Sequence, residues 1–167
     1  MESLKELLDL VANSFKKAEE ASARNAVLLN GFERSVQVDG YSCGAQCAFS
    51  ILKFYHKARS VDNVTREAGT TSKGTDPEDL RELFLRRGLA PRRINKPTVA
   101  KIKREIREGF PVLVSVDDDE HWAVVYGYAH QGLFVCDPSI RRAWRCRFST
   151  QEFLRRWDKW AMAVRRR

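Results

Sequence analysis

The sequence predicts an α+β domain built on a mainly antiparallel sheet, and three observations predict it. Apolar residues recur at helical spacing through roughly the first two thirds of the chain, β-branched and alternating stretches crowd the last third, and the turns between those stretches are short. Helices segregated ahead of consecutive strands point to α+β rather than to repeating βα units. At 167 residues the chain is long enough to bury one core without disulfides or metal.

The elements follow in order. Leu4, Leu7, Leu8, Val11, Phe15 and Ala18 make one apolar stripe, with Lys16, Lys17, Glu19 and Glu20 between them, which predicts an amphipathic helix ending near Asn30 and Gly31. Leu4, Leu8, Val11 and Phe15 are expected to pack on the domain or on a partner subunit, because an exposed stripe of that size is unusual. A second helix should start at Cys43 and run through Phe49, Ile51 and Leu52 to Tyr55. "SVDNVTREAG" predicts a short third helix, and "GTDPEDLRELFLRRG" a fourth, with Thr75 or Asp76 as cap, Pro77 in its first turn and Gly88 as terminator. "KPTVAKIKREIREG" repeats that grammar between Pro97 and Gly109. After Phe110 the period changes, and "PVLVSV", "HWAVVYGYA", "LFVCD" and "RAWRCRF" read as strands. "STQEFLRRW" is a short helix with Ser149 and Glu152 at capping-box spacing, and "KWAMAV" a closing strand.

Charge and cysteine usage exclude several classes. Residues 141–167 hold ten of the 30 Lys and Arg against two of the 22 Asp and Glu, so the net +8 concentrates at the C-terminal end. Such a tail suits nucleic acid, an anionic membrane or an acidic peptide, but no named nucleic-acid motif accompanies it and it reads as a solvated basic face. Glu2, Glu6 and Asp9 stand where a signal peptide needs a basic start and an unbroken apolar run, and no window reaches transmembrane length. A soluble cytoplasmic protein with Cys43, Cys47, Cys136 and Cys146 as free thiols is expected. Their spacing matches none of the usual zinc arrangements, so no metal or other cofactor is expected.

The residues that can do chemistry begin at Cys43. A thiol in the first turn of a helix meets free N–H groups and the positive end of the helix dipole, which favour the reactive thiolate. Gly44 would let a substrate backbone approach, whereas Cys47, one turn on, reads as a small core residue. A nucleophilic cysteine needs a base. His56 lies too far along the same helix and His130 sits in a polar turn, which leaves His121 at the mouth of a strand. Asp117, Asp118, Asp119 and Glu120 precede it and would favour its protonated form. Asp137 ends the next strand and would orient the imidazole. A three-residue connection over residues 129–131 would place Asp137 diagonal to His121 on one sheet face, and a strict two-residue turn would put the two on opposite faces. Gln37, in a Gly-containing loop before Cys43, would supply an amide to an oxyanion hole.

"QVDGYSCGAQCAFSILKFY", "GTDPEDLRELFLRRGL", "HWAVVYGY", "VCDPS" and "EFLRRW" together resemble the bacteriocin-processing, or double-glycine leader, cysteine peptidase family. The resemblance runs from Gln37 to Val164. It implies a papain-like fold with N-terminal helices on an antiparallel sheet, residues 1–32 as an N-terminal helical extension, and residues 33–167 as the peptidase domain. It also implies cleavage of a peptide after Gly-Gly, with Cys43 as nucleophile, His121 as proton carrier, Asp137 as orienter and Gln37 on the oxyanion, while Ser42, Gly44 and Trp122 border the substrate. Ser42 departs from the acidic residue common before the cysteine. The family is often fused to an exporter; the present chain is expected to stand alone, with a peptide or protein substrate such as a leader peptide, and a separate transporter, as partners. The same constellation serves acyl- or γ-glutamyl-type transfer and amide hydrolysis, and a non-catalytic peptide-binding module is the further alternative.

Overall fold

The computed structural model describes residues 3–167. The chain forms α1 (Leu4–Ser22), β1 (Val27–Leu28), α2 (Cys43–Phe54), α3 (Val61–Glu67), α4 (Pro77–Arg86), β2 (Leu89–Arg93), α5 (Val99–Arg107), β3 (Val112–Val116), β4 (His121–Ala129), β5 (Gly132–Cys136), β6 (Arg147–Ser149), α6 (Thr150–Arg156) and β7 (Trp157–Arg166). The strands make one antiparallel sheet in the order β2-β7-β3-β4-β5-β6, with β1 added to β4. The α+β reading therefore holds. Against this sheet α2 turns Cys47, Ala48, Ile51 and Leu52, which belong to one buried cluster with Val124, Tyr126 and Phe134. Each fully buried aliphatic side chain of this kind stabilises the fold by roughly 1.5–3 kcal/mol, so the core fixes the helix, and with it Cys43, on the sheet.

Several elements differ from expectation, each for a physical reason. Helix α1 stops at Ser22, short of Asn30, because Ala23 turns extended and Asn25 takes φ +56°, sending Val27 and Leu28 into the sheet opposite Tyr128 and Gly127. That pairing needs a glycine at 127: a Cβ there would stand 2.5 Å from Leu28 Cδ2. The face that α1 docks is also not its apolar stripe. Ala12 and Lys16 are buried while Leu4, Leu7 and Phe15 are 70%, 49% and 51% exposed. Leu8 and Ala12 pack on Val36 and Ala143, and Phe15 meets Trp144 edge-on, while polar contacts hold the rest of the helix: Asp9 Oδ1 accepts from Val36 N at 2.7 Å, Asn13 exchanges two bonds with the Arg34 backbone, and Glu19 Oε2 accepts from Cys146 N at 2.5 Å.

Residues 89–93 form a strand that the hydropathy pattern does not announce, with Pro91 tolerated because β2 is a sheet edge. Conversely, "RAWRCRF" pairs as a strand only from Arg147. The buried Arg34 guanidinium takes the carbonyls of Ala143 and Arg145, together with that of Val135, so this stretch curls around a cation. Nor is the basic C-terminal end a free tail. β7 lies between β2 and β3, and Arg165 forks onto Glu105 at 2.6 and 3.0 Å.

Candidate active site

Cys43 is the first residue of α2 and His121 the first of β4. Both are brought together because α2 packs across β4. Asp137 follows β5 directly and is completely buried. His121 Nε2 meets Asp137 Oδ1 at 2.6 Å, which leaves Nδ1 as the ring nitrogen available to the Cys43 thiol.

The hairpin achieves this by a route other than the expected three-residue connection. Ala129 pairs with Gly132, so the turn is the two residues His130 and Gln131. Such a turn alone would put His121 and Asp137 on opposite faces. The register shifts between Val125 and Gly127, however, where Tyr126 bulges out, and beyond the bulge Val124 pairs with Cys136. Continued by one residue, this sets Asp137 across from Ala123, diagonal to His121 on the same face.

Burial by itself pushes the His121 imidazole down, but its bonds to Asp137 and Cys43 and their charge more than offset this and hold it up at about 9. Burial likewise pushes Asp137 up, and His121, the Ser139 N–H and Arg156 reverse it to about 2. Asp137 is the carboxylate bonded to His121, while Asp117 of the acidic run interacts with it through charge alone. Asp117 in that run is spent on Arg156, which holds its carboxyl below the usual range.

Gln37 is buried, and its N–H donates to Pro138 O at 2.8 Å, tying it to the residue after Asp137. Its Nε2 donates to Asp39 O at 2.8 Å and has a second N–H to offer. Ser42 faces inward: its N–H donates to Asp39 Oδ1 at 2.7 Å and its Oγ accepts from Gln46 Nε2 at 3.3 Å. Gly44 is buried too, and a Cβ there would stand 3.0 Å from Thr75 and Trp122, so those side chains use the space. Trp122 donates Nε1–H to Thr75 O at 3.1 Å, meets Trp160 edge-on at 5.0 Å, and lines the ≈ 520 Å³ cleft that contains Cys43. Cys47 is core, and burial pushes its thiol up, as it does those of Cys136 and Cys146.

Sequence reasoning missed Arg156, Thr75 and Trp160. Arg156 carried a signal only as part of "EFLRRW", where a basic residue in the last turn of a helix is ordinary. Its guanidinium bridges Asp117 and Asp137. Residues 117–119 each adopt left-handed φ near +60°, an arrangement costly for non-glycine residues. Arg156 at one end, and Asp158 accepting from the N–H groups of Asp118 and Asp119 at the other, hold it.

A helix-start thiol, a strand-start imidazole and a buried carboxylate meet on an antiparallel sheet, an arrangement that suits acyl transfer through a thiol nucleophile. The Peptidase C39 family model matches residues 32–167, and the chain belongs to that family. Among solved structures it is similar to the peptidase domain of Streptococcus ComA, a bifunctional ABC transporter involved in a quorum-sensing pathway. That likeness has 22% identity and a TM-score of 0.71, and covers 81% of this chain and 99% of that one. It is also similar to a double-glycine-motif protease from an AMS/PCAT transporter, solved with its leader peptide, at 18% identity and TM-score 0.68, covering 86% and 100%. A third likeness is to the N-terminal C39-like domain of a toxin-secretion ATP-binding protein from Vibrio parahaemolyticus, at 13% identity and TM-score 0.61, covering 75% and 98%. These likenesses concern the fold. No curated protein matches significantly. Among the described residues, no helix is long and apolar enough to cross a membrane.

Proposed function

We propose that this peptidase cleaves a leader-type peptide after a Gly-Gly pair, in the cytoplasm, with Cys43, His121, Asp137 and Gln37 as its working groups. The thiolate of Cys43 attacks the carbonyl carbon, and the carbonyl oxygen takes the negative charge beside Gln37 Nε2 and the N–H groups at the start of α2. His121 passes its proton to the departing amine as the C–N bond breaks, leaving a thioester. Water then gives a proton to His121 and attacks the thioester, releasing a carboxylic acid, which loses its proton to solvent, and restoring the Cys43 thiolate opposite imidazolium. Asp137 keeps the ring oriented throughout. The observation that carries this reading is the 2.6 Å contact from His121 Nε2 to Asp137 Oδ1, with Cys43 at the helix start beside the ring.

Within that reading Trp122 walls the substrate cleft, while Ser42 and Gly44 shape it from inside. Residues 1–32 are an extension and residues 33–167 the peptidase domain, with β1 lent to the sheet by the extension. The likeness to the double-glycine-motif protease solved with its leader peptide supports the Gly-Gly preference and the leader-type substrate of this proposal. The test is a peptide library incubated with the protein and read by mass spectrometry. Cleavage after Gly-Gly that vanishes in Cys43→Ala is the expected result; consumption of another acyl donor with every Gly-Gly peptide left intact would overturn the substrate.

A further inference from the structure

Helix α1 turns most of its charge inward and apolar side chains outward, the reverse of a helix that lies between a core and water. On the inner side Lys5 pairs with Asp9 at 2.7 Å and donates to Ser35 Oγ at 2.9 Å, Lys16 pairs with Glu20, and Glu19 accepts from Cys146 N. On the outer side Leu4, Leu7, Leu10 and Phe15 are 70%, 49%, 59% and 51% exposed, and Ser14 and Ala18 between them are exposed as well. The edge-on contact of Phe15 with Trp144, itself 41% exposed, carries this apolar face onto the loop that follows Asp137. An exposed apolar face of that extent marks a surface that something covers.

The face offers nothing directional to a partner. Its one polar side chain, Ser14, donates Oγ–H back to Leu10 O at 2.9 Å, and Glu6 beside it accepts from Ser3 N at 2.7 Å. Specific protein interfaces carry about one hydrogen bond per 100–200 Å², so this face suits acyl chains better than a protein. Its rim is cationic. Arg141, Arg142, Arg145, Arg155 and Arg156 line one hollow of ≈ 380 Å³ in which Glu152 is the one acidic residue, and Arg141 and Arg155 have no ion-pair partner among the described residues. Arg141 also lines a groove with Leu4 and Ile140, so the arginines adjoin the apolar face. An isologous contact with a second copy would set these arginines against a surface that holds no unspent carboxylate. Lipid of negative charge meets both demands.

We infer that the outer face of α1 docks on an anionic lipid bilayer, with Leu4, Leu7, Leu10 and Phe15 at the boundary of headgroups and acyl chains, Trp144 at the interface, and Arg141 and Arg155 on lipid phosphates. The apolar area supplies adhesion and the arginines select negatively charged lipid. The helix lies along the surface and does not cross it. Because Arg141 and Leu4 share their groove with Gln37, docking sets the candidate active site at the membrane surface.

Vesicle sedimentation of the full chain, without substrate, tests this apart from the peptidase reading. Vesicles of phosphatidylcholine would be compared with vesicles in which about one third of the lipid is phosphatidylglycerol. The protein is expected to bind the anionic vesicles at least about tenfold tighter at low salt. Leu7→Ser with Leu10→Ser, and separately Arg141→Glu with Arg155→Glu, should each weaken that binding at least about tenfold. Ser14→Glu, at an exposed position, places a charge at the centre of the face and should do the same with thermal melting unchanged, which covers the case of a serine pair that fails to fold. Tryptophan emission should shift to the blue on anionic vesicles, and Trp144→Phe should remove most of the shift. No binding to anionic vesicles, equal affinity for the two compositions, binding that survives Ser14→Glu, or an emission shift that persists without Trp144 overturns the inference. So does a dimer seen by light scattering without lipid that Ser14→Glu dissolves, since a second copy would then cover the face.

Discussion

Arg156 donates from Nη2 to Asp137 Oδ2 at 2.9 Å, on the carboxylate oxygen that His121 leaves free. The same guanidinium grips Asp117 through Nε at 2.9 Å and Nη2 at 2.8 Å, and the Arg156 carbonyl accepts from Asp117 N at 2.9 Å. One side chain thus couples the carboxylate behind His121 to the loop in front of it. With Asp137 completely buried, its second oxygen would otherwise rely on Arg142 at 3.6 Å.

Arg156→Met is therefore expected to lower kcat by about ten- to a hundredfold, on the order of 1.4–2.7 kcal/mol in the barrier. Peptide KM should change little. In an Asp137→Asn background the same substitution should cost almost nothing further, because its effect passes through that carboxylate. A loss of equal size in both backgrounds would mean that Arg156 merely holds the fold.

The pH profile carries a second expectation. An imidazolium held up at about 9 keeps the proton that His121 hands to the departing amine in place through neutral pH, and activity should fall as pH rises through about 9. Asp137→Asn removes the anion, so the alkaline limb should move down toward the ordinary histidine value of about 6.5. The same raised value stabilises the fold fully below about pH 6.5 and is lost as pH rises through 9. Asp137, depressed to about 2, contributes above about pH 4, and its share is lost as pH falls through 2. Rate–pH curves of the two proteins check the first point, and urea midpoints across pH the second.

Iodoacetamide should modify Cys43 well before the other cysteines. All four are buried, but only Cys43 lines the cleft, and burial pushes the thiols of Cys47, Cys136 and Cys146 away from the reactive form. Peptide mapping after brief labelling measures it. Comparable labelling at all four positions would remove Cys43 from the nucleophile's role.

Gly44→Ala tests the packing behind the nucleophile. The added methyl would sit 3.0 Å from Thr75 and from Trp122, so one of them must yield, at a cost of about 1–3 kcal/mol of stability. A lower melting temperature together with a raised KM is expected, since Trp122 walls the cleft. An unchanged melting temperature would show that Thr75 and Trp122 move aside freely.

Much of the fold and of the candidate site was legible because its signals are local. The helix-start cysteine, the capping box at Ser149 and the Pro77 and Gly88 boundaries each depend on a few adjacent residues, and the structure shows α2, α6 and α4 beginning or ending there. Local signals misled where a distant partner won. Helix α1 gives way to β1 because β4 offers an open edge at Gly127, and residues 142–145 leave the strand because Arg34 claims their carbonyls. Arg156 looked like a helix-end cation because nothing in its neighbourhood points to Asp137, 19 residues away.

The sequence by itself determined which residues could do chemistry: a thiol where a helix begins, one histidine at a strand mouth, one aspartate at a strand end. These depend on composition and spacing, which the chain carries in any conformation. Whether they meet was decided only in the tertiary structure, by a bulge at Tyr126 that returns Asp137 to the face of His121 after a two-residue turn. A bulge is a property of a pairing between two strands, settled by how their side chains pack against the rest of the core, and so neither strand alone can announce it.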